Sequence, residues 1–303
     1  MKNLQRILVP TDFSDDSRRA IEMAVLLASG AEASVELLHV RALHTDDPYR
    51  PEHHFPRPDE LAQILASQDE ASLSALETPS SVPFKRTTVR ASHVAPAILE
   101  HAEKTEADLI VLGTHGRTGL AHAVMGSVAE AVVRGASRPV VTVPGRKMNP
   151  AETLVLTDLL VPLDLSDLSA SVLEEAVALA RRHGSRLHLL HVIEEVPHPA
   201  FYLSGARSIL EVFPGLEDRV RKKLEDLAAE IATDLPCQCI VAEGRTHRKI
   251  VEMASELACG LIVLGSPIRS GIDRLLIGSV TGKVLRMAPK PVLAVRRTGA
   301  AGS

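Results

Sequence analysis

Short apolar runs alternate with amphipathic stretches along the whole chain. Residues 5–10 make a first apolar strand. Ser14 then reads as a helix N-cap, with Asp15 and Asp16 well placed at the positive end of the helix dipole. Ile21, Ala24, Val25 and Ala28 follow at the i, i+3, i+4, i+7 spacing of a buried helix stripe. A second strand is predicted from Val35 to Val40, and Pro48, Pro51, Pro56 and Pro58 argue against a regular element over 41–58. The pattern then predicts a polar helix over 59–77, a strand over 84–90 and a helix over 95–106. A strand from Asp108 to Gly113, a helix over 127–136 and a strand over 139–143 complete the series. Nearly continuous apolar strands alternating with helices imply a parallel sheet covered on both faces. The predicted class is doubly wound α/β, with its ligand crevice at the carboxyl ends of the strands.

The series is written twice. Leu8-Val9-Pro10-Thr11-Asp12-Phe13-Ser14-Asp15 returns as Leu160-Val161-Pro162-Leu163-Asp164-Leu165-Ser166-Asp167. Leu37-Leu38-His39-Val40, Ile110-Val111-Leu112-Gly113, Gly126-Ser127-Val128 and Arg138-Pro139-Val140 all have counterparts 152 positions later. Chance does not hold one offset over five blocks, and the unit is too long for a solenoid repeat. Two homologous domains are expected, 1–146 and 155–298, joined through the linker Gly145-Arg146-Lys147-Met148-Asn149-Pro150.

Composition narrows the function. The 303 residues are 45% hydrophobic and 24% charged, which is ordinary for one large or two average globular domains. With Trp 0, Tyr 2 and Phe 5 there are few rings on which to stack bases, and a net charge of −4 does not suit a phosphate backbone, so no nucleic-acid partner is expected. No apolar run reaches the roughly 18 residues of a membrane span, and the N-terminus carries no signal-peptide pattern. Cys237, Cys239 and Cys259 make no disulfide framework, and a cytoplasmic location is expected. Cys237-Gln238-Cys239 puts two thiols on one strand face, without the further ligands that zinc needs. His44, His53 and His54 with Asp46 and Asp47 form a second metal candidate, although no helical spacing enforces its geometry.

The stretch richest in chemistry is Gly113-Thr114-His115-Gly116-Arg117-Thr118-Gly119, followed by Gly126-Ser127 at the start of a helix. Glycines after a strand let backbone N–H groups approach an anion, and a helix N-terminus offers unpaired N–H groups to a phosphate. The same residues have plain structural roles: Ser127 with Glu130 three residues on is a capping box, and Gly113 is a natural strand end. The spacing Gly-x2-Gly-x9-Gly-Ser is neither a P-loop nor a dinucleotide fingerprint. With the opening Pro10-Thr11-Asp12 and the strand ending His39-Val40, it resembles the universal stress protein family in its ATP-binding branch, in a tandem two-domain form.

That resemblance covers nearly all of both halves and implies two Rossmann-like domains, each a five-stranded parallel sheet of order 3-2-1-4-5. It also implies that the last strands of the two halves pair within the chain as a pseudo-two-fold dimer. Further homodimerisation of that unit through another face is left open. By the same resemblance, Pro10, Thr11 and Asp12 hold the nucleoside, with the carboxylate on the ribose hydroxyls, and the backbone of Val40 contacts adenine. Gly113, Gly116, Gly126, Ser127 and Val128 match phosphate-binding positions. His115 and Arg117 sit within reach of a γ-phosphate, though Arg117 has a counterpart, Arg269, in the other half. Asp12 equally suits a helix cap and Val40 a core position. Ser92 stands where the resemblance implies glycine and where the second half has Gly244.

The second half departs at Gly265-Ser266-Pro267-Ile268: Pro267 removes a backbone donor, and Ile268 is β-branched where glycine is expected. Leu163 also replaces Thr11. One ATP per chain, in the first domain, is therefore the expectation, with Mg²⁺ as a candidate companion. No catalytic set converges and no lysine lies in the phosphate segment, so any turnover should be slow. A nucleotide-dependent regulatory or stress-response module with an unknown protein partner is favoured. A slow Mg-dependent ATPase or phosphotransferase, and a nucleotide-free interaction scaffold, are the alternatives.

Overall fold

Three consecutive residues of the first strand, Ile7, Leu8 and Val9, are each at most 1% exposed. Side chains of a strand alternate between faces, so both faces of this sheet are covered. The computed structural model describes residues 4–42, 58–79, 81–115, 125–144, 153–194, 208–266 and 278–296. Contacts divide the chain into two units, Asn3–Arg146 and Lys147–Ser303.

The first unit carries strands β1 (Arg6–Pro10), β2 (Ser34–Ala42), β3 (Phe84–Ala91), β4 (Leu109–Gly113) and β5 (Val140–Val143). They lie in the order β3-β2-β1-β4-β5, every neighbouring pair parallel. Helices α1 (Asp15–Ser29), α2 (Pro58–Ser74), α3 (Val94–Lys104) and α4 (Ser127–Gly135) connect them. The second unit has strands β6 (Asp158–Pro162), β7 (Arg186–Glu194), β8 (Cys237–Gly244), β9 (Leu261–Ser266) and β10 (Val292–Arg296). Their order, β8-β7-β6-β9-β10, is the same topology. Helices α5 (Asp167–His183), α6 (Ile209–Val212), α7 (Leu216–Ile231), α8 (Thr246–Glu256) and α9 (Ser279–Met287) accompany them. Each unit is thus a Rossmann-like α/β domain with its first and fourth strands adjacent at the centre.

Ser14 caps α1 as expected, its Oγ accepting from the Ser17 N–H at 3.3 Å. Two expectations need correction. Ile21, Ala24 and Ala28 of the expected α1 stripe are buried, but Val25 is only half-buried, and Ala20, Met23 and Leu27 complete the core face instead. Pro58 does not exclude a regular element; it opens α2, where the N–H it lacks has no intrahelical acceptor to lose. The histidine-containing segment 43–57 and the linker 145–150 lie outside the described residues.

Glu36 of β2 forms a polar knot on one face of the first sheet. Its Oε1 accepts from Thr87 Oγ at 2.6 Å and lies 3.0 Å from both His101 Nε2 and Lys85 Nζ. Burial pushes its carboxyl upward, but these hydrogen bonds and the positive neighbours more than offset that and hold it below the ordinary glutamate value. A carboxyl lowered in this way stabilises the fold above its unfolded value, and the stabilisation drains away as pH falls through the folded one. Glu36→Gln should therefore lower the urea stability of the first domain by about 1 kcal/mol at pH 7. The gap to wild type should shrink as the pH is taken below about 4.

Candidate functional site

At the carboxyl end of β1 the ladder runs one residue further, the Thr11 N–H donating to Leu38 O at 2.9 Å. Thr11 is buried, its Oγ donating to Ser17 Oγ at 3.1 Å and accepting from the Phe13 N–H at 3.1 Å. Phe13 itself sits in the left-handed region, at φ 66°, where a non-glycine residue is strained. The Phe13 ring lies 4.6 Å from that of His39. His39 Nδ1 lies 2.9 Å from Thr11 O and its Nε2 3.4 Å from Asp69, so this histidine ties β1, β2 and α2 together. Asp12 does not cap α1 directly. Its Oδ1 accepts from the N–H and Oγ of Ser14, at 3.1 and 2.5 Å, and so braces the residue that does.

The opposite wall starts at the end of β4. A Cβ on Gly113 would lie 2.7–2.8 Å from backbone and Cβ atoms of Asp16, so the missing side chain is what lets the first turn of α1 settle there. Asp16 stays in the first turn of α1, where the helix dipole favours it, and takes a second role. It is 2% exposed, and its Oδ2 accepts the His115 N–H at 3.0 Å. Thr114 donates its N–H to Val143 O at 3.1 Å and accepts the Gly126 N–H at 2.7 Å. Gly126 is the N-cap of α4, which makes Ser127 its first helical residue and removes the expected capping box. Glu130 pairs instead with Arg134 one turn on, at 2.7 Å.

Between these walls lies a cavity of about 430 Å³, within the range of small-molecule sites. Pro10, Thr11, Asp12, Val40, Gly113, Gly126, Ser127 and Val128 all line it. Ser17, Thr114 and His115 line it as well. Gly116 and Arg117 lie outside the described residues. Val128 is exposed at the mouth, and the first-turn N–H groups of Ser127 and Val128 have no intrahelical acceptor. His115 was expected near the phosphates, but the hydroxyls of Ser17 and Thr114 beside it were not, because residues so far apart in the chain share no sequence period.

The family model of the universal stress protein family matches residues 3–144 and again 157–296. The chain belongs to that family. Universal stress protein Rv2005c of Mycobacterium tuberculosis is 28% identical over 253 residues, covering 79% of this chain and 78% of that protein. Universal stress protein YxiE of Bacillus subtilis is 35% identical over 144 residues, 46% of this chain and 97% of the relative. The crystal structure of a universal stress protein from Archaeoglobus fulgidus superposes with a TM-score of 0.64 at 20% identity, covering 96% of this chain and 98% of that one, a likeness of fold.

The second domain of this universal stress protein has a crevice of about 450 Å³ at the matching place. His191 Nδ1 lies 2.8 Å from Leu163 O, as His39 does from Thr11 O. Asp164 braces Ser166 as Asp12 braces Ser14, and also accepts from Ser169 Oγ at 3.0 Å. Burial raises its carboxyl, but these donors win and hold it below the ordinary aspartate value. Leu163 is buried where Thr11 bonds Ser17, and Leu168 stands where Asp16 stands in the first domain. Gly244 ends β8 at φ 143°, a conformation its counterpart Ser92 does not adopt, so the two domains leave their third strands differently. Pro267, Ile268 and Arg269 lie outside the described residues.

Among the described residues no group of three His, Cys, Asp or Glu side chains is placed to hold a metal, and no helix is long and apolar enough to cross a membrane. Burial raises all three thiols, Cys237 and Cys259 to about 12.

Two measurements follow from this geometry. Gly113→Ala should lower first-domain stability by about 1–3 kcal/mol, because its methyl meets backbone that cannot yield without moving α1; a urea titration reads the shift. At pH 8 the native cysteines should react with a disulfide reagent at least about tenfold more slowly than in the urea-unfolded chain, since almost no thiolate is present.

Proposed function

We propose that the first domain binds one ATP in its 430 Å³ cavity and that the protein works as a nucleotide-dependent regulatory module of the stress response. The observation that carries this reading is the convergence on one cavity of eight described residues at matching motif positions, drawn from both ends of the domain sequence. In this reading the Asp12 carboxylate accepts from the ribose hydroxyls and the Val40 backbone meets the adenine. The N–H groups of Ser127 and Val128, at the positive end of α4, receive the phosphates together with Gly116. Gly126 takes a different part from its neighbours: its own N–H is committed to Thr114 O, so it anchors the helix end. Arg117 is assigned to the γ-phosphate.

No lysine stands in the segment Gly113–Gly119 or among the described lining residues, which supports binding over phosphoryl transfer. Mg²⁺ would accompany the triphosphate, and hydrolysis would be slower than about one turnover per second, the low end of typical enzyme rates. The bound nucleotide would set the affinity for a regulatory protein partner. The second domain, with Leu163 lining its crevice and Pro267-Ile268 in place of His115-Gly116 in the sequence, would leave ATP unbound and serve as scaffold.

The test is the nucleotide content of the chain after incubation with Mg²⁺ and ATP, desalting and denaturation, resolved by anion exchange. About one adenine nucleotide per chain is expected, falling to near none in Gly116→Ile, which imports the residue found in the second half. Two per chain would refute the assignment to one domain, and steady conversion to ADP would turn the reading toward an ATPase.

A further inference from the structure

The two crevices share one frame, offset by 152 residues, so each position in one has a counterpart that acts as an internal control. In the first, the buried Asp16 carboxylate accepts the N–H of His115 at 3.0 Å and lies 3.3 Å from His115 Nδ1. That same Nδ1 is 2.9 Å from Thr114 Oγ. In the second, the counterpart of His115 is Pro267, which has no N–H, and the counterpart of Asp16 is Leu168. Donor and acceptor have gone together. Either change alone would be costly: a buried carboxylate facing proline loses the donor that compensates its burial, and a leucine facing an N–H strands a buried donor. Asp12, His39 and the Gly126-Ser127-Val128 run, by contrast, recur unchanged as Asp164, His191 and Gly278-Ser279-Val280.

Leu168 also shows that the frame does not need the carboxylate to fold. In the second domain a Cβ on Gly265 would meet the Leu168 side chain at 2.8 Å, where Gly113 meets Asp16, so the helix turn packs on the strand end in both. The carboxylate therefore does something specific to the first crevice. Its charge would repel a polyanion, so its value there is geometric. By accepting the His115 N–H it fixes the orientation of the Thr114–His115 peptide, whose two residues both line the cavity.

We propose that Asp16 is the positioning residue of a polyphosphate site, and that the paired loss of Asp16 and the His115 N–H is what closes the second crevice to polyphosphate. The proposal rests on the reading of the first cavity as an ATP site. It assigns Asp16 no contact with the ligand; it acts through the His115 peptide.

The experiment measures ATP and adenosine affinity by equilibrium dialysis on the full chain carrying Asp16→Leu, Asp16→Asn or the pair Asp16→Leu with His115→Pro. Far-ultraviolet circular dichroism checks that each variant is folded. Losing a charge-assisted hydrogen bond to a peptide should weaken ATP by about tenfold or more in Asp16→Leu. Adenosine, which has no phosphates to place, should change by less than about threefold. Asp16→Asn keeps an acceptor without the charge and should hold ATP affinity within about threefold of wild type. The double variant copies a pair the chain already folds with, and should bind adenosine but not ATP even if the single leucine variant fails to fold.

Undiminished ATP binding in folded Asp16→Leu, or in the double variant, would overturn the proposal while leaving the ATP reading intact. Equal loss of ATP and adenosine would make Asp16 a general support of the crevice and overturn it too. An asparagine variant as weak as the leucine one would assign the effect to charge, against positioning. Failure of wild type itself to bind ATP would overturn both the site reading and this inference.

Discussion

The seat of α1 on the end of β4 is the contact on which the first crevice depends. Gly113 carries no side chain, so the first turn of α1 comes within a methyl radius of the strand end and carries Asp16 under the start of the glycine-rich segment. Two more bonds complete the corner. The Thr114 N–H reaches Val143 O on β5, and the Thr114 carbonyl takes the Gly126 N–H that opens α4. One residue without a side chain thus lets four elements meet, and the cavity is the space left between that meeting point and the end of β1. Native interiors leave few gaps larger than a water, so a cavity of this size persists because the backbone around it is held by its own hydrogen bonds.

The comparison of the two domains separates frame from chemistry. Both place a strained left-handed residue after the strand-end aspartate, Phe13 at φ 66° and Leu165 at φ 60°. In each the aspartate braces a serine, and a histidine from the second strand lies against the carbonyl before it. These are the features that shape a strand end, and they are kept. Three polar residues of this corner are replaced: Thr11 by Leu163, Asp16 by Leu168, His115 by Pro267. Strain repeated in both copies belongs to the architecture, whereas the replaced polar groups distinguish one crevice from the other.

Much of the fold was legible in the chain. Apolar runs too continuous for a one-sided sheet called for a sandwiched parallel one, and the 152-residue offset called for two copies. The errors were local. Val25 fits the helical spacing on paper, but the choice of core face belongs to the sheet beneath, which favours Met23 and Leu27. Ser127 has the chemistry of a cap, yet Gly126 takes that place because its N–H is claimed by Thr114 across the strand end. Boundaries shift by a residue when a distant group supplies the deciding hydrogen bond.

By itself, then, the sequence determined the α/β class, the duplication, the family motif and the imbalance between the two crevices, since all of these are written in periodicity, spacing and residue type. Only the tertiary structure decided which groups face one another. Asp16 read only as a helix-dipole partner, because nothing within a helical turn of it signals a further role. Its acceptor role appears only when β4 and α1 are packed, with His115, 99 residues away, turning an N–H toward it. Periodicity reports the environment along an element, whereas a hydrogen bond between elements depends on packing that no local pattern encodes.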